Sequence, residues 1–422
     1  MITEERFNRR NIIVFIYALL LLNFFAWIEV VEATYGIPRI IKYIISITVL
    51  ITIVYYRISN PSKPEPGAFT YFIISIFILW SLTLLILALL KFNNIFYIQR
   101  VFGQTSFYIP YIIPILILFS KFDLEFIRYY FHYAYLFIVP AMMIAVFIAA
   151  RELPAKDYYE QSCRIGLFDI GSSFLLLTSQ LSKKKYIFNI VVLYYLLMIF
   201  LVLQWGRRGV FVEYLFLMFA MFILRIKSSF LNINDRLKIY FVGLTLIILL
   251  LSFSNLFTST YAFQRGFSKE GFVESRGMIF QDFFSDFISA PDWTLGRGLE
   301  GTVLRTINEF TRTGDSIENG ILHVILKGGL LYLVPFLIIL LRASYLGFYK
   351  SNNDLVKACA ALILIYVIMM SYFNLPSYST KYITLWIYAT ICFAPRMRNY
   401  NNEEIYEAIN LPFKSTHNEM QL

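Results

Sequence analysis

Cysteine and histidine are scarce in this chain of 422 residues, which has three of each. Cys163, Cys359 and Cys392 are scattered and form no CxxC pair, so a disulfide framework is not expected. The histidines are too few and too far apart to predict a metal site. We therefore expect neither a metal nor a cofactor.

Charge is also scarce, because 15% of the residues are charged while 59% are hydrophobic and 18% aromatic. The mean hydropathy is +0.65, and a soluble protein is only about 45–50% apolar. Several runs reach the roughly 20 apolar residues that cross a bilayer, and they lack the alternation of a barrel. The composition predicts an all-α polytopic membrane protein whose surroundings are lipid, with no nucleic-acid partner.

Hydropathy predicts about twelve transmembrane helices, with eleven to thirteen compatible with the pattern. The first apolar run is long and lacks a cleavage site, so it is predicted to be a membrane helix and not a signal peptide. The predicted spans are 11–28, 38–56, 68–90, 105–120, 127–150, 166–181, 187–205, 208–224, 239–260, 319–341, 355–373 and 381–395.

Basic residues orient these spans. Clusters before span 1, between spans 6 and 7, between spans 8 and 9 and after span 12 all lie on one face if both termini are cytoplasmic. The predicted organisation is nine spans in 1–260, one long external loop in 261–317, three spans in 318–395 and a cytoplasmic tail in 396–422.

Several arginines depart from this rule because they fall on the external side. Arg207 and Arg208 lie in the short turn "WGRRG", and Arg265, Arg276 and Arg297 lie in the long loop. Arginine suits bidentate contact with phosphate, so the pattern favours an anionic ligand. The alternatives are arginines that snorkel to outer headgroups and loop charges without a ligand.

The loop also contains "FVESRGMIFQDFFSDF", residues 272–287, which predicts an amphipathic helix with Asp282 and Asp286 on its solvated face. Next comes a turn in which glycines bracket Arg297. Trp293 before this turn is either a platform for stacking a sugar or an interfacial aromatic residue.

The tenth span begins in "DSIENGILHVILKGG", where Asp315 is predicted to cap a helix with Glu318 at its third position. A helix N-terminus beside external arginines suits a phosphorylated ligand. His323 and Lys327 follow within the apolar run. We expect both to be buried polar groups that face protein and not lipid.

This stretch resembles the signature of the bacterial O-antigen ligase and polymerase family. In the ligases, a histidine and a polar residue precede nine residues, a glycine, two residues, and Gly, Thr or Tyr. Asn319, Gly329 and Tyr332 satisfy that spacing, while Glu318 replaces the histidine. An Arg-Gly at Arg208 and an arginine before an aromatic helix at Arg276 also match the family's order.

The resemblance implies a GT-C-like helical bundle in the bacterial inner membrane, with its active site on the periplasmic face. It implies transfer of glycan from an undecaprenyl-diphosphate-linked oligosaccharide donor to a lipid-linked acceptor, with inversion and without a metal. The missing histidine favours a polymerase of O-antigen, capsule or exopolysaccharide over a ligase.

On this hypothesis the catalytic residues are Glu318, Arg276 and Arg208. Glu318 would be the general base, and the arginines would stabilise the diphosphate leaving group. The substrate-binding residues would be Arg207, Arg297, Asn319, His323, Trp293 and Arg265.

Alternatives remain open at this stage. Glu29 or Glu32 after span 1 is a rival base, and Glu318 is otherwise only a capping residue. The chain is otherwise a ligase, a flippase for lipid-linked oligosaccharides, or a structural subunit. Whether a chain-length regulator binds also stays open.

Overall fold

The computed structural model describes residues 9–23, 39–91, 101, 107–152, 171–184, 186–204, 208–227, 275–307, 310–314, 317 and 319–411. Helices dominate this part of the chain, as the composition predicts. The helices that precede the long loop are α1 (9–23), α2 (Arg39–Ser59), α3 (Ala68–Leu90), α4 (Ile109–Ile117), α5 (Leu124–Glu152), α6 (Ser172–Thr178), α7 (Tyr186–Gln204) and α8 (Arg208–Lys227).

The segment predicted to be an external loop is itself structured. It contains α9 (Ser275–Asp286), α10 (Ala290–Leu295) and an antiparallel hairpin of β1 (Val303–Ile307) and β2 (Phe310–Gly314). The helix predicted over 272–287 is therefore confirmed in its main part. The hairpin was not predicted.

The C-terminal part is again helical. Its elements are α11 (Gly320–Tyr349), α12 (Asp354–Met370), α13 (Thr380–Phe393), α14 (Pro395–Asn399) and α15 (Asn402–Asn410). Helices α14 and α15 lie within the segment predicted to be a cytoplasmic tail, so that tail contains short helices up to residue 410.

Four of the described helices are long and apolar enough to cross a membrane: Ile40–Ser59, Ala68–Leu90, Gly209–Ile226 and Gly320–Tyr349. Two of the predicted spans contain much shorter helices among the described residues. At 105–120 and 166–181 the structure contains α4 with nine residues and α6 with seven. Helices of this length are about 10–14 Å long, less than half of a hydrocarbon core of about 30 Å. The predicted span 239–260 lies outside the described residues.

Helix α11 is the centre of the described bundle and packs against α3, α12, α13 and α10. In the apolar stretch of α11 that is long enough to cross a membrane, 67% of the residues are buried in protein, against 28% in α2, 39% in α3 and 28% in α8. Large apolar side chains such as Phe72, Leu79 and Ile86 of α3 are exposed. Several large apolar side chains exposed along one helix are typical of contact with lipid.

Side-chain caps begin the three long C-terminal helices. The Oδ1 atom of Asn319 accepts a hydrogen bond from the Leu322 amide at 3.0 Å, and Asn353 and Ser379 cap α12 and α13 in the same way. Such caps satisfy backbone donors that the first helical turn leaves without partners. The predicted cap at Asp315 is wrong, because α11 begins four residues later than that cap requires.

Candidate functional site

Helix α11 is broken at Gly329, where φ is 65° and ψ is −171°. This conformation is essentially restricted to glycine, and a Cβ atom there would also collide with the carbonyl oxygen of Thr294. Residues 330–349 after the break span about 30 Å, which by itself matches the thickness of a bilayer core. The nine residues before the break are therefore not needed to cross the membrane.

The turn after α10 is docked into this break, and we call residues 275–307, which contain this turn, the docked segment. The backbone amide of Arg297 donates to the carbonyl oxygen of Leu326 at 2.8 Å. The indole nitrogen of Trp80 in α3 donates to the carbonyl oxygen of Gly328, also at 2.8 Å. Non-helical backbone at membrane depth is tolerated where protein satisfies its polar groups, and these two bonds do so at the break.

The docked segment extends along two levels of α3. At the end of α3, Lys91 lies 3.9 Å from the carboxylate of Glu300. Eleven residues earlier, Trp80 contacts Gly328 of α11, and Gly296 of the docked segment lies against the same stretch of backbone. Eleven helical residues correspond to about 16 Å along the axis. The segment between α9 and the hairpin therefore reaches deeply along the bundle and does not rest only on its end.

His323 and Lys327 lie in the first half of α11, before the break. Their exposed fractions are 0% and 2%, which confirms the prediction that both are buried in protein. The Nζ atom of Lys327 donates to the carbonyl oxygen of Gly301 at 2.9 Å, which ties the docked segment to the helix. The structure does not support direct contact of substrate with His323, because this side chain has no access to solvent.

Arg297 holds the docked segment together. Its Nε and Nη2 atoms donate to Asp292, its Nη1 and Nη2 atoms donate to Asp286, and Nη1 also donates to the carbonyl oxygen of Thr302. These bonds use all five N–H donors of a guanidinium group. In this conformation Arg297 has a structural role and no donor left for the phosphate that the sequence suggested.

The charges of this cluster stabilise one another. Burial acts to raise the pKa of Asp286, but hydrogen bonds from Arg297 and from the Leu304 amide leave the pKa below its ordinary value. Burial acts to lower the pKa of Arg297, and the two carboxylates of Asp286 and Asp292 more than compensate and raise it. Asp286 therefore does not lie on a solvated face, which corrects the amphipathic interpretation of α9.

Trp293 packs inside the same segment. Its indole nitrogen donates to the carbonyl oxygen of Phe287 at 2.7 Å, and its ring stacks on Phe284 with centroids 6.0 Å apart. Phe283 and Phe287 contact it edge to face. The ring that the sequence offered as a sugar platform is thus a partly buried member of an aromatic cluster.

Two of the predicted motifs meet at the connection between α12 and α13. The Nδ2 atom of Asn319 donates to the carbonyl oxygen of Ser371 at 2.6 Å. At the start of α8, a Cβ atom on Gly209 would lie 2.7 Å from the ring of Phe373. We call Gly209, Asn319, Gly320 and residues 371–374 the shared rim. It brings together the first turns of α8 and α11, which are more than 100 residues apart in sequence.

Several predicted site residues fall outside the part of the chain that the structure describes. These are Glu318, Arg207, Arg265, Glu29 and Glu32. Arg208 and Arg276 are described only as backbone, in the first turn of α8 and of α9. The third position of α11 is Leu322 and not Glu318, so the predicted capping arrangement does not form.

A largely buried ion pair that was not predicted from the sequence lies beside the shared rim. Glu213 of α8 has an exposed fraction of 6% and pairs with Lys381 of α13. Lys381 also donates to the Oδ1 atom of Asn374 at 3.0 Å and lies over the Phe373 ring. The available signal was a carboxylate within the apolar run "GVFVEYLF", since ionisable groups in membrane helices are usually functional.

No group of three or more His, Cys, Asp or Glu residues placed to hold a metal occurs among the described residues. Comparisons of this chain with protein family models, with curated proteins and with solved structures find no match.

Proposed function

We propose that this chain is a glycosyltransferase of the inner bacterial membrane that polymerises lipid-linked oligosaccharide repeat units on the external face. The proposed fold is a GT-C-like bundle of about twelve spans with both termini in the cytoplasm. The observation that carries the proposal is the docking of the segment 275–307 into the break of α11. It supports the proposal because the turn at Gly296 and Gly298 then packs against α11, the helix that carries Asn319, Gly329 and Tyr332 of the family pattern.

The donor would be an undecaprenyl-diphosphate-linked oligosaccharide. Its diphosphate is anionic, and two arginines that the sequence singles out lie at helix starts. Arg276 is in the first turn of α9 and Arg208 in the first turn of α8. The hairpin register also pairs Arg305 with Arg312. Arginine suits contact with phosphate, so these positions fit the same class of ligand.

The reaction is one displacement. A hydroxyl of the acceptor repeat unit attacks C1 of the donor sugar, the C1–O bond to the diphosphate breaks, and undecaprenyl diphosphate leaves with inversion at C1. Glu318, directly before the cap of α11, takes the hydroxyl proton. Arg276 and Arg208 offset the charge that develops on the leaving oxygen.

Chain growth by the purified protein tests this proposal. Full-length protein in nanodiscs is mixed with lipid-linked repeat units, and product length is measured on gels. We expect ladders of longer glycans from the wild type and almost none from Glu318→Gln or Arg276→Ala. Glu407→Gln and Arg396→Ala, both at exposed positions near the C-terminus, serve as matched controls and should retain activity.

Each other outcome has a definite meaning. Absence of chain growth by folded wild-type protein contradicts the proposed function. Movement of lipid-linked oligosaccharide across vesicles without chain growth supports a flippase instead, and transfer to a lipid-anchored acceptor other than a repeat unit supports a ligase. Normal growth by both Glu318→Gln and Arg276→Ala would refute their assigned roles while leaving the activity in place.

A further inference from the structure

A polar cleft lies beside the shared rim, between α6, α8, α12 and α13. Glu213 and Lys381 line it, together with Ser173, Thr384 and Tyr388. The cleft has about 30 Å³ of space for water-sized groups, which is enough for roughly two waters since one needs at least about 10–15 Å³. It is therefore large enough for hydroxyl or hydroxymethyl groups but not for a whole sugar ring.

Placing this ion pair inside an apolar bundle costs free energy, because both charges lose their hydration water. That cost is offset only when the pair has good geometry and makes further hydrogen bonds. Lys381 has such a bond, to Asn374. Asn374 has an exposed fraction of 5%, and its Nδ2 atom has no hydrogen-bond partner among the described residues. The side-chain amide of Asn374, next to the ion pair, is therefore only partly hydrogen-bonded.

The chemistry of the lining selects the class of ligand. The Glu213 carboxylate only accepts hydrogen bonds and the Lys381 ammonium only donates them, whereas hydroxyl groups do both. An anion would be repelled by Glu213, a cation would be repelled by Lys381, and an apolar group would leave both charges without a polar partner. A neutral hydroxyl group of the ligand can donate to Glu213 and accept from Lys381 at the same atom.

Aromatic side chains form the walls of the cleft beside the ion pair. Tyr366 and Tyr388 line the cleft, and Lys381 lies over the ring of Phe373. Both tyrosine rings are almost fully buried, so the ion pair is the polar part of the lining that a ligand hydroxyl can reach. The Tyr366 hydroxyl donates to the carbonyl oxygen of Leu375 at 3.0 Å, which fixes this ring.

We propose that this cleft is a saccharide subsite in which Glu213 and Lys381 hold the hydroxyl edge of a neutral sugar. That the sugar belongs to the acceptor glycan rests on the proposed function, because the cleft adjoins the rim that α8 and α11 share. Glu213 and Lys381 are binding residues in this assignment and take no part in proton transfer.

Binding of simple glycosides tests the subsite without any reaction. Saturation-transfer difference NMR is recorded on full-length protein in nanodiscs with methyl glycosides of glucose, galactose, mannose and N-acetylglucosamine. We expect the wild type to bind at least one of them and Glu213→Gln or Lys381→Gln to weaken binding by about tenfold or more, as hydrogen bonds to charged groups predict. Glu407→Gln is the matched control and should bind normally.

A more conservative variant controls for misfolding of Glu213→Gln and Lys381→Gln. Thr384→Val removes one lining hydroxyl, keeps the side-chain shape and leaves the ion pair intact, and it should weaken binding several-fold in protein that elutes and melts normally. Binding of no glycoside by the wild type, equal binding by all variants, or stronger competition by methyl phosphate than by glycosides would each overturn the proposal. Failure of chain growth with intact glycoside binding would refute the proposed function alone.

Discussion

A Cβ atom placed on Gly296 would lie 2.6 Å from the backbone nitrogen of Gly329. These two glycines, one in the docked segment and one in the break of α11, therefore touch backbone to backbone. Both have positive φ, 75° and 65°. The contact exists only because neither residue has a side chain, and it fixes how deeply the segment sits in the bundle.

Replacing either glycine should undock the segment. Gly296→Ala and Gly329→Ala combine an unfavourable φ with a steric collision, so we expect each to lower the free energy of unfolding by more than the roughly 1–3 kcal/mol of backbone strain alone. Gly298→Ala is the matched control, because its φ is 78° but a Cβ atom there would meet nothing within 4 Å. Thermal unfolding of the purified variants measures the difference, and equal losses for Gly296→Ala and Gly298→Ala would contradict the docking.

The indole of Trp80 should stabilise the break. Trp80→Phe keeps an aromatic ring but removes the donor to the Gly328 carbonyl oxygen, and an unsatisfied buried acceptor costs about 1–3 kcal/mol. We expect a lower melting temperature, with faster hydrogen exchange at residues 326–332. Unchanged exchange at the break would show that another group satisfies this carbonyl.

Arg297 should be irreplaceable by lysine. Lysine keeps the positive charge but not the planar set of five donors that contacts Asp286, Asp292 and Thr302. We expect Arg297→Lys to expose the chain between α9 and β1 to chymotrypsin, which cleaves after aromatic residues such as Phe287 and Trp293, at rates close to those of Arg297→Ala. Protection of Arg297→Lys at the wild-type level would mean that charge alone holds the segment.

Asp286 should make this segment sensitive to acid. Because the folded-state pKa of Asp286 is lowered, its ionised form contributes stability above the unfolded pKa of about 3.9. That contribution is lost as the pH falls through the folded value. Between pH 6 and pH 3 the melting temperature of the wild type should fall more than that of Asp286→Asn. A parallel decline in both proteins would argue against this linkage.

The Glu213–Lys381 pair should be more damaging to break than to remove. Lys381→Met alone leaves a buried carboxylate without its partner, which typically costs about 3–5 kcal/mol. The double variant Glu213→Leu with Lys381→Met removes both charges, so we expect it to melt at a higher temperature than Lys381→Met. A double variant that is as unstable as the sum of the two single variants would show that the pair is not coupled.

The long apolar helices are predictable from the sequence, because a membrane-length apolar run is a local property. The predicted spans 68–90 and 187–205 agree closely with α3 and α7. Within 105–120 and 166–181 the described helices α4 and α6 are shorter than predicted, and their apolar side chains are buried against protein. Hydropathy cannot distinguish burial in protein from burial in lipid.

The apolar, helical character of the protein and the burial of His323 and Lys327 can be read from the amino-acid sequence. Charge and hydropathy suffice for both, since polar groups in apolar surroundings need protein partners. Three features arise only in the folded protein: the break of α11 at Gly329, the full engagement of Arg297 by Asp286 and Asp292, and the pairing of Glu213 with Lys381. Each of these depends on contacts between distant segments, and no local pattern encodes which backbone or charge will arrive there.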